Sequence, residues 1–377
     1  MIQFLYAVLN DMKIVILNTS KRVAIIPNDA RDMINNGHEV FVESSAGDES
    51  LFYDEDYKKC SIFDLNTIND IGPNVVIGVK ISKSDLIRIA NSLREPCTFI
   101  FAKIDDFEEI EIDVKSSFVA FSLDMLPRIT RAQDMDVLSS QNNLLGYVAA
   151  IKACELSQKV MPMMNTSAGR IHPAKVIVIG AGVAGLQCIA TFKRMGAIVY
   201  GCDVRENCKD EVESLGAKFF AIPSKIELSG GYVTEISQSD IENQRNLLRD
   251  HISDADIVIC SALIRGKVAP IIITKDMVKS MKNGALIIDL AIEHGGNCEL
   301  SQNGITKFGK ITILGSNDLI DNIANEASKM LSKNNMNFLQ YLFNTGYFDS
   351  LETHEFEQKL NEDEILKCMY KLCKTAD

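Results

Sequence analysis

The sequence predicts an α/β protein of two domains with mostly parallel sheets, joined by long helices around a cleft. Three observations carry that prediction. Short β-rich runs alternate with helical patterns twice over, a proline-free helical stretch separates the two series, and the second series opens on a glycine-rich strand-to-helix turn. At 377 residues, 46% of them hydrophobic, the chain exceeds one typical core and has apolar material for two.

The first series occupies residues 1–131. Lys13 to Leu17, Val40 to Glu43, Val75 to Val79, Thr98 to Ala102 and Phe118 to Ser122 read as strands, with helical patterns at Pro27 to Asn36 and Lys83 to Leu93. Strands alternating with helices imply crossover connections, hence parallel pairing. Met12 to Ile16 reads as the natural start of the first strand. Residues 1–11 lack a basic n-region and a small-residue cleavage site, so they read as an extension or a misplaced start codon rather than a signal peptide.

From Ala132 to about Lys159 there is no proline and one glycine, and apolar residues recur at Leu144, Leu145, Val148, Ile151, Ala153 and Leu156. One long connecting helix is expected over 132–160. Pro162, Gly169 and Pro173 end it and call for a hairpin or exposed loop.

The second series, 161–316, places strands at Val176 to Ile179, Ala197 to Cys202, Lys218 to Ile222, Asp256 to Ser261, Ala285 to Ala291 and Ile311 to Leu314. Pro223 to about Ser237 is too long for a short crossover and reads as a functional or mobile loop. Residues from about 317 to 377, helical through Asn334 to Leu339 and acidic and amphipathic from Asp349, are expected to pack back on the first domain and complete it.

Composition narrows the function. A net charge of −12 and a pI near 5.0 argue against a nucleic-acid partner, which needs clustered Lys and Arg. The ten cysteines are scattered without a CxxC pair, which fits a reducing compartment and argues against a metal site. Cys188 and Cys260 lie in apolar runs, where a thiol acts as a small hydrophobe. No apolar run approaches the ~20 residues that cross a bilayer, so a soluble polypeptide is expected.

The strongest motif is Lys175 to Ile179 running into Gly180-Ala181-Gly182-Val183-Ala184-Gly185. This is the strand, tight turn and helix start of a Rossmann-like dinucleotide fold. Gly180 permits the turn, Gly182 lets the backbone approach a pyrophosphate, and Gly185 lets the helix pack on its strand. The helix N-terminus offers free N–H groups to the anion. Asp203 ends the next strand, 23 residues after Gly180, where a carboxylate can accept from the adenosine ribose hydroxyls and repel a 2′-phosphate. Arg205 is the contrary sign, but Asp203 holds the strand end, so NAD(H) is the expected cofactor. Val183, Val204, Ala262 and Leu263 complete the candidate contacts.

The stretch Pro127 to Gln141 is polar where the fold needs no polarity. On a helix from Ala132, Gln133, Asp136 and Ser140 would fall within about 60° of one another, with Arg128 just before it. An amide such as Gln133 suits a nicotinamide carboxamide, and Asp136 could hold Arg128 through a charge-assisted bond. The bland alternative, a solvated helix start with ordinary capping, stays open on chemistry alone.

Met125 to Gln141, Gly146-Tyr147, Pro162-Met163-Met164, Gly180 to Gln187, Asp203-Val204-Arg205, Val212 to Gly216, Gly230-Gly231-Tyr232 and Ile288 to Ala291 together resemble the NAD(H)-binding component of proton-translocating nicotinamide nucleotide transhydrogenase. The likeness is specific between about 119 and 300. It implies a loop over the nicotinamide that gives roles to Arg128, Gln133, Asp136 and Ser139, and a mobile loop carrying Tyr232 that closes on nucleotide. It further implies a hairpin near Pro162 to Pro173 exchanged in a homodimer, NADP(H) held on a partner component, and membrane-spanning partners. The chain would then lie peripherally on the cytoplasmic or matrix face of an energy-coupling membrane. The N-terminal part departs from the pattern: Arg22-Val23-Ala24-Ile25-Ile26-Pro27 is kept, but Leu17-Asn18-Thr19-Ser20 replaces the usual preceding Lys-Glu pair. Further on, Ile264-Arg265-Gly266-Lys267-Val268-Ala269-Pro270 stands for the family's Ile-Pro-Gly-Lys-Pro-Ala-Pro.

Two rivals remain. An alanine dehydrogenase shares the plan, but that family needs a histidine near the end of the first domain, and Phe99 to Asp106 has none. His294 is the best alternative base, although a loop histidine is more often bland. The second rival is a non-catalytic NAD-binding regulatory module, since a fold does not guarantee chemistry.

Overall fold

The computed structural model describes residues 12–93, 98–104, 107, 118–221, 227–229, 232–235, 238–264, 267–316, 318–347 and 354–373. The chain forms two compact units, Met1–Gln141 with Ile323–Asp377, and Asn142–Asn322. Each is built on a mostly parallel seven-stranded sheet.

In the first unit the strands run in the order Tyr370–Cys373, Phe118–Ser122, Thr98–Ile104, Val75–Ile81, Lys13–Ile16, Glu39–Glu43, Ser61–Phe63. All neighbours are parallel except the first pair. Side chains alternate across the sheet, and both faces are apolar, as a parallel sheet covered on two sides requires. Ile14, Ile16, Val75, Ile77, Phe99 and Phe101 enter one core, while Val15, Val76, Ile100 and Ala102 enter the other. Phe338 of helix Ala324–Asn344 closes the first core, meeting Phe101 and Phe121 edge-on at 5.2 and 5.6 Å.

The polar side of that helix is used as well. Its Ser328 and Ser332 hydroxyls accept from the amides of Val23 and Ile26 at 3.0 Å, and Asn335 donates to the Ala24 carbonyl at 2.8 Å. Val23, Ala24 and Ile25 are wholly buried in an irregular segment, so their backbone groups need partners from elsewhere. Side chains from the far end of the chain supply them.

The 132–160 region differs from the single helix expected. Thr130–Met135 forms a 3-10 helix, and the α-helix runs from Val137 to Leu156. Asp136 separates them with ψ of 86°, outside helical values, and its carboxylate accepts from the Ser139 amide at 2.8 Å and the Ser139 hydroxyl at 2.6 Å. An N-cap aspartate starts the helix later than the apolar spacing suggests. The angular convergence of Gln133, Asp136 and Ser140 on a continuous helix therefore does not occur.

The second unit orders its strands Lys218–Ala221, Ile198–Asp203, Lys175–Ile179, Ile257–Cys260, Leu286–Asp289, Ile311–Gly315, Gly304–Phe308, with only the last pair antiparallel. The Pro162 to Pro173 stretch contains the hairpin Met164–Thr166 with Gly169–Ile171. The expected Pro223 to Ser237 loop contains two short antiparallel strands, Glu227–Ser229 and Tyr232–Glu235; its remaining residues lie outside those described, as does the Tyr232 side chain.

Three described strands of the seven-stranded sheets are absent from the sequence reading: Ser61–Phe63, Gly304–Phe308 and Tyr370–Cys373. All are edge strands. The first has three residues, and the second exposes or half-exposes every position, so neither shows a clear apolar pattern. Among the described residues no helix is long and apolar enough to cross a membrane.

Candidate nucleotide site

The sheet order of the second unit reverses between Lys175–Ile179 and Ile257–Cys260: later strands build outward on one side, earlier ones on the other. In an open α/β sheet the crevice at such a point, outside the carboxyl ends of the strands, is where ligands bind. Both strands end there in residues that touch. Gly180 has φ of +92°, and a Cβ on it would stand 2.8 Å from the Ala262 nitrogen, so turn conformation and close approach both demand glycine. The Ser261 hydroxyl spans the gap, donating to the Gly180 carbonyl at 2.9 Å.

Gly185 lies in the first turn of Val183–Arg194, where a Cβ would come within 1.8 Å of the Gly180 oxygen. A Cβ at Gly182, by contrast, meets no described atom within 4 Å. The open side of the turn lies at the start of a helix whose first turn has neither a side-chain cap nor an acidic residue. Its N–H groups and positive dipole end are available to an anion.

Asp203, at the end of Ile198–Asp203, is buried and accepts from the Ala181 amide at 2.8 Å. It also accepts from the Arg205 amide and Nε at 2.9 Å and from a terminal guanidinium nitrogen at 3.0 Å. This fork-to-fork pairing raises the Arg205 pKa through the hydrogen bond to Asp203. Arg205, in sequence the sign of a 2′-phosphate, is tied to the carboxylate that opposes one. Val204 and Ala262 pack partly buried against the core, and Leu263 remains 45% exposed.

A second network joins Asp289, within the Ile288 to Ala291 motif, to Asn297, to which the sequence gives no role. Asp289 and Asn297 are fully buried. Asp289 accepts from the amides of Ala291, Asn297 and Cys298 at 3.0, 2.8 and 2.9 Å. The Asn297 side chain accepts from the Ala262 amide at 3.0 Å and donates to the carbonyls of Ala262 and Pro270 at 2.9 Å. For Asn297 the signal is Gly295-Gly296-Asn297 itself, where the neighbouring His294 is the more conspicuous residue. The His294 side chain is exposed, and its carbonyl accepts from the Ala269 amide at 2.7 Å.

In the first unit, the Arg128 to Ser139 segment is pinned from inside. Ala132, Met135 and Val137 are buried in the core, with Ile129 packed against it, whereas Arg128 and Gln133 are exposed. Asp136 and Ser139 are brought together as the helix cap. The carbonyl of Asp134 accepts from Asn334 at 2.7 Å and from Asn337 at 2.9 Å. Burial pushes the Cys188 and Cys202 thiols up to about 12 and Cys260 well above its ordinary value, away from the reactive thiolate.

These features define the class: a doubly wound α/β protein with a glycine turn and an uncapped helix start at its switch point. Comparison with known proteins is then specific. The family described as Alanine dehydrogenase/PNT, N-terminal domain, matches residues 16–145, and Alanine dehydrogenase/PNT, C-terminal domain, matches 149–367. The chain is 39% identical over 353 residues to the first of the polypeptides that make up the NAD(P) transhydrogenase alpha subunit of Rickettsia prowazekii, covering 90% of this chain and 91% of that one. It is 37% identical to the protein of the same name from Rhodospirillum rubrum, covering 91% of each. The crystal structure of transhydrogenase from Sinorhizobium meliloti superposes with a TM-score of 0.74 at 33% identity, covering 89% of this chain and 95% of the other. The chain belongs to the alanine dehydrogenase/PNT family, among its NAD(P) transhydrogenase alpha subunits.

Proposed function

We propose that this chain is the NAD(H)-binding component of a proton-translocating nicotinamide nucleotide transhydrogenase, and that it takes part in direct hydride transfer between NAD(H) held here and NADP(H) held on a partner component. The observation that carries the reading is the junction of Gly180 and Ala262 at the switch point, with Asp203 bonded to the Ala181 amide beside it.

The residues present fit a dinucleotide. Gly180, Gly182, Val183 and Gly185 would hold the pyrophosphate against the helix start; Asp203, with Val204 and Arg205 beside it, would meet the adenosine ribose; Ala262 and Leu263 would line the opposite side. When bound, the nicotinamide supplies the carbon that gives or takes the hydride. Transfer between two such rings needs no general acid or base, so the protein's task is to orient and to exclude water. We assign Gln133 to the carboxamide, Arg128 to the same end of the nucleotide, and Asp136 with Ser139 to the cap that fixes the segment. Tyr232 is assigned to a loop that closes on bound nucleotide.

The partners in this reading are a second copy of the chain, an NADP(H)-binding component and a membrane-spanning component, with the chain peripheral on the cytoplasmic or matrix face. The test mixes the purified chain with an NADP-binding transhydrogenase component and follows hydride exchange between NADH and an oxidised NAD analogue. Exchange that depends on the second component and is lost in Gln133→Ala is expected. Alanine-dependent NAD reduction by the chain alone would overturn the reading.

A further inference from the structure

We infer that Asn297 is a positioning residue for the nucleotide site: it sets the gap between the glycine turn and the Ala262 loop, and so governs nucleotide affinity. The inference rests on the nucleotide-binding reading above and adds to it a residue remote in sequence from both loops.

The geometry is specific. Asn297 engages both backbone polar groups of Ala262, accepting from its amide at 3.0 Å and donating to its carbonyl at 2.9 Å, and the same side chain reaches the Pro270 carbonyl at 2.9 Å. One carboxamide thus pins the loop after Ile257–Cys260 at two places eight residues apart in sequence. Ala262 is the residue whose nitrogen faces Gly180 across the switch point. Moving Ala262 would widen or close the space beside the turn.

Asn297 is itself held at its backbone, to the sheet through Asp289 and to the end of the loop through Ile272 and Ile273. Its amide donates to Asp289 at 2.8 Å, and its carbonyl accepts from Ile272 and Ile273 at 2.8 and 2.9 Å. Asp289 ends the strand paired in register with Cys260, so it refers the whole arrangement to the sheet. Gly296 makes the approach possible: it has φ of +81°, and a Cβ there would stand 2.9 Å from the Asp289 carboxylate. Every polar group of Asn297 is satisfied. A purely structural role would need only that; two bonds to Ala262, which with Ser261 stands opposite Gly180, place the side chain at the site's width.

The side chain's chemistry makes the role testable. One acceptor and two donors are required, and of Asn and Asp only the amide offers both kinds of group at neutral pH. In Asn297→Asp the acceptor for the Ala262 amide survives, but a carboxylate faces two carbonyl oxygens. Protonation restores one donor, and burial beside those carbonyls favours the protonated form.

The experiment measures NADH binding by nucleotide fluorescence for wild type, Asn297→Ala, Asn297→Asp and Ser332→Ala. The last removes a buried hydroxyl contact in the other unit and controls for lost stability. Measurements are made well below each variant's melting temperature. With the nucleotide reading correct, wild type binds NADH, both Asn297 variants bind about ten-fold more weakly, and Ser332→Ala binds as wild type. Asn297→Asp should recover affinity as pH falls from about 8 to about 6, against the wild-type profile. Folded Asn297 variants with wild-type affinity and no such pH dependence overturn the inference; absence of NADH binding by wild type overturns the nucleotide reading instead. Should neither variant fold, amide exchange in wild type decides: saturating NADH should slow exchange at Ala262, whose acceptor is Asn297, and unchanged exchange there rejects the inference.

Discussion

The carboxamide nitrogen of Asn334 lies 2.7 Å from the main-chain oxygen of Asp134, and the same side chain accepts from the Ser140 hydroxyl at 2.6 Å. A helix from the end of the chain thereby fixes the exposed segment that carries Gln133. Asn334→Ala removes both bonds, leaving Asn337 as the partner of Asp134. We expect stability to fall by about 1–2 kcal/mol. Hydride exchange with the NADP-binding component should drop several-fold while NADH affinity changes little. Titration and exchange rate measured on the same preparation separate the two effects.

Asp203 offers a second test. In Asp203→Asn the Ala181 amide keeps an acceptor, but the fork to Arg205 loses its charge. NADH should bind about ten-fold more weakly, and the preference for NADH over NADPH should shrink because Arg205 is released toward a 2′-phosphate. The ratio of the two dissociation constants is the readout. An unchanged ratio with weaker binding of both would assign Asp203 to holding the turn alone.

Gly185→Ala puts a Cβ where 1.8 Å separates it from the Gly180 oxygen. Helix and turn must part, at about 3 kcal/mol or more. Thermal unfolding should show the loss, and NADH binding should fall beyond what that loss explains. Gly182→Ala, whose Cβ meets no described atom, should fold normally and lose NADH affinity. The pair of variants divides packing from ligand access.

His251 predicts a pH effect. It stacks on Phe220 at 3.9 Å between centroids, and burial, then the charge of Lys175, lowers its pKa, with Asp250 opposing. A histidine whose folded pKa lies below its unfolded value of about 6.5 contributes stability above that value and loses it as pH falls. Melting temperature should therefore drop between about pH 7.5 and pH 5.5 by more in wild type than in His251→Asn. Equal drops would remove His251 as the cause.

Legibility followed the physics of each signal. Val75–Ile81 and Thr98–Ile104 can be read because buried parallel strands must be apolar on both faces. Gly180, Gly185 and Asp203 can be read because their spacing is set by a turn, a helix and a strand in succession. The helix start at Val137 cannot: Asp136 looks like a functional acid and is also an N-cap, and one residue's backbone angle outweighs the periodicity around it. Asn297 is hidden for another reason. Its partners Ala262 and Asp289 lie 35 and 8 residues away, and no local pattern marks a side chain whose role is to hold a different loop.

The bonds from the Val23 amide to Ser328 and from Asn335 to the Ala24 carbonyl join residues 305 and 311 apart in sequence. Long-range closure of that kind comes late, because its entropy is lost before its contacts form. On the ribosome, residues 142–322 emerge as one continuous stretch and can fold while the first unit still waits for its closing helix. During that interval the apolar surfaces of Phe101 and Phe121 lack Phe338. A chain that stopped at Ile323 would keep every residue of the second unit and lose the helix that closes the first.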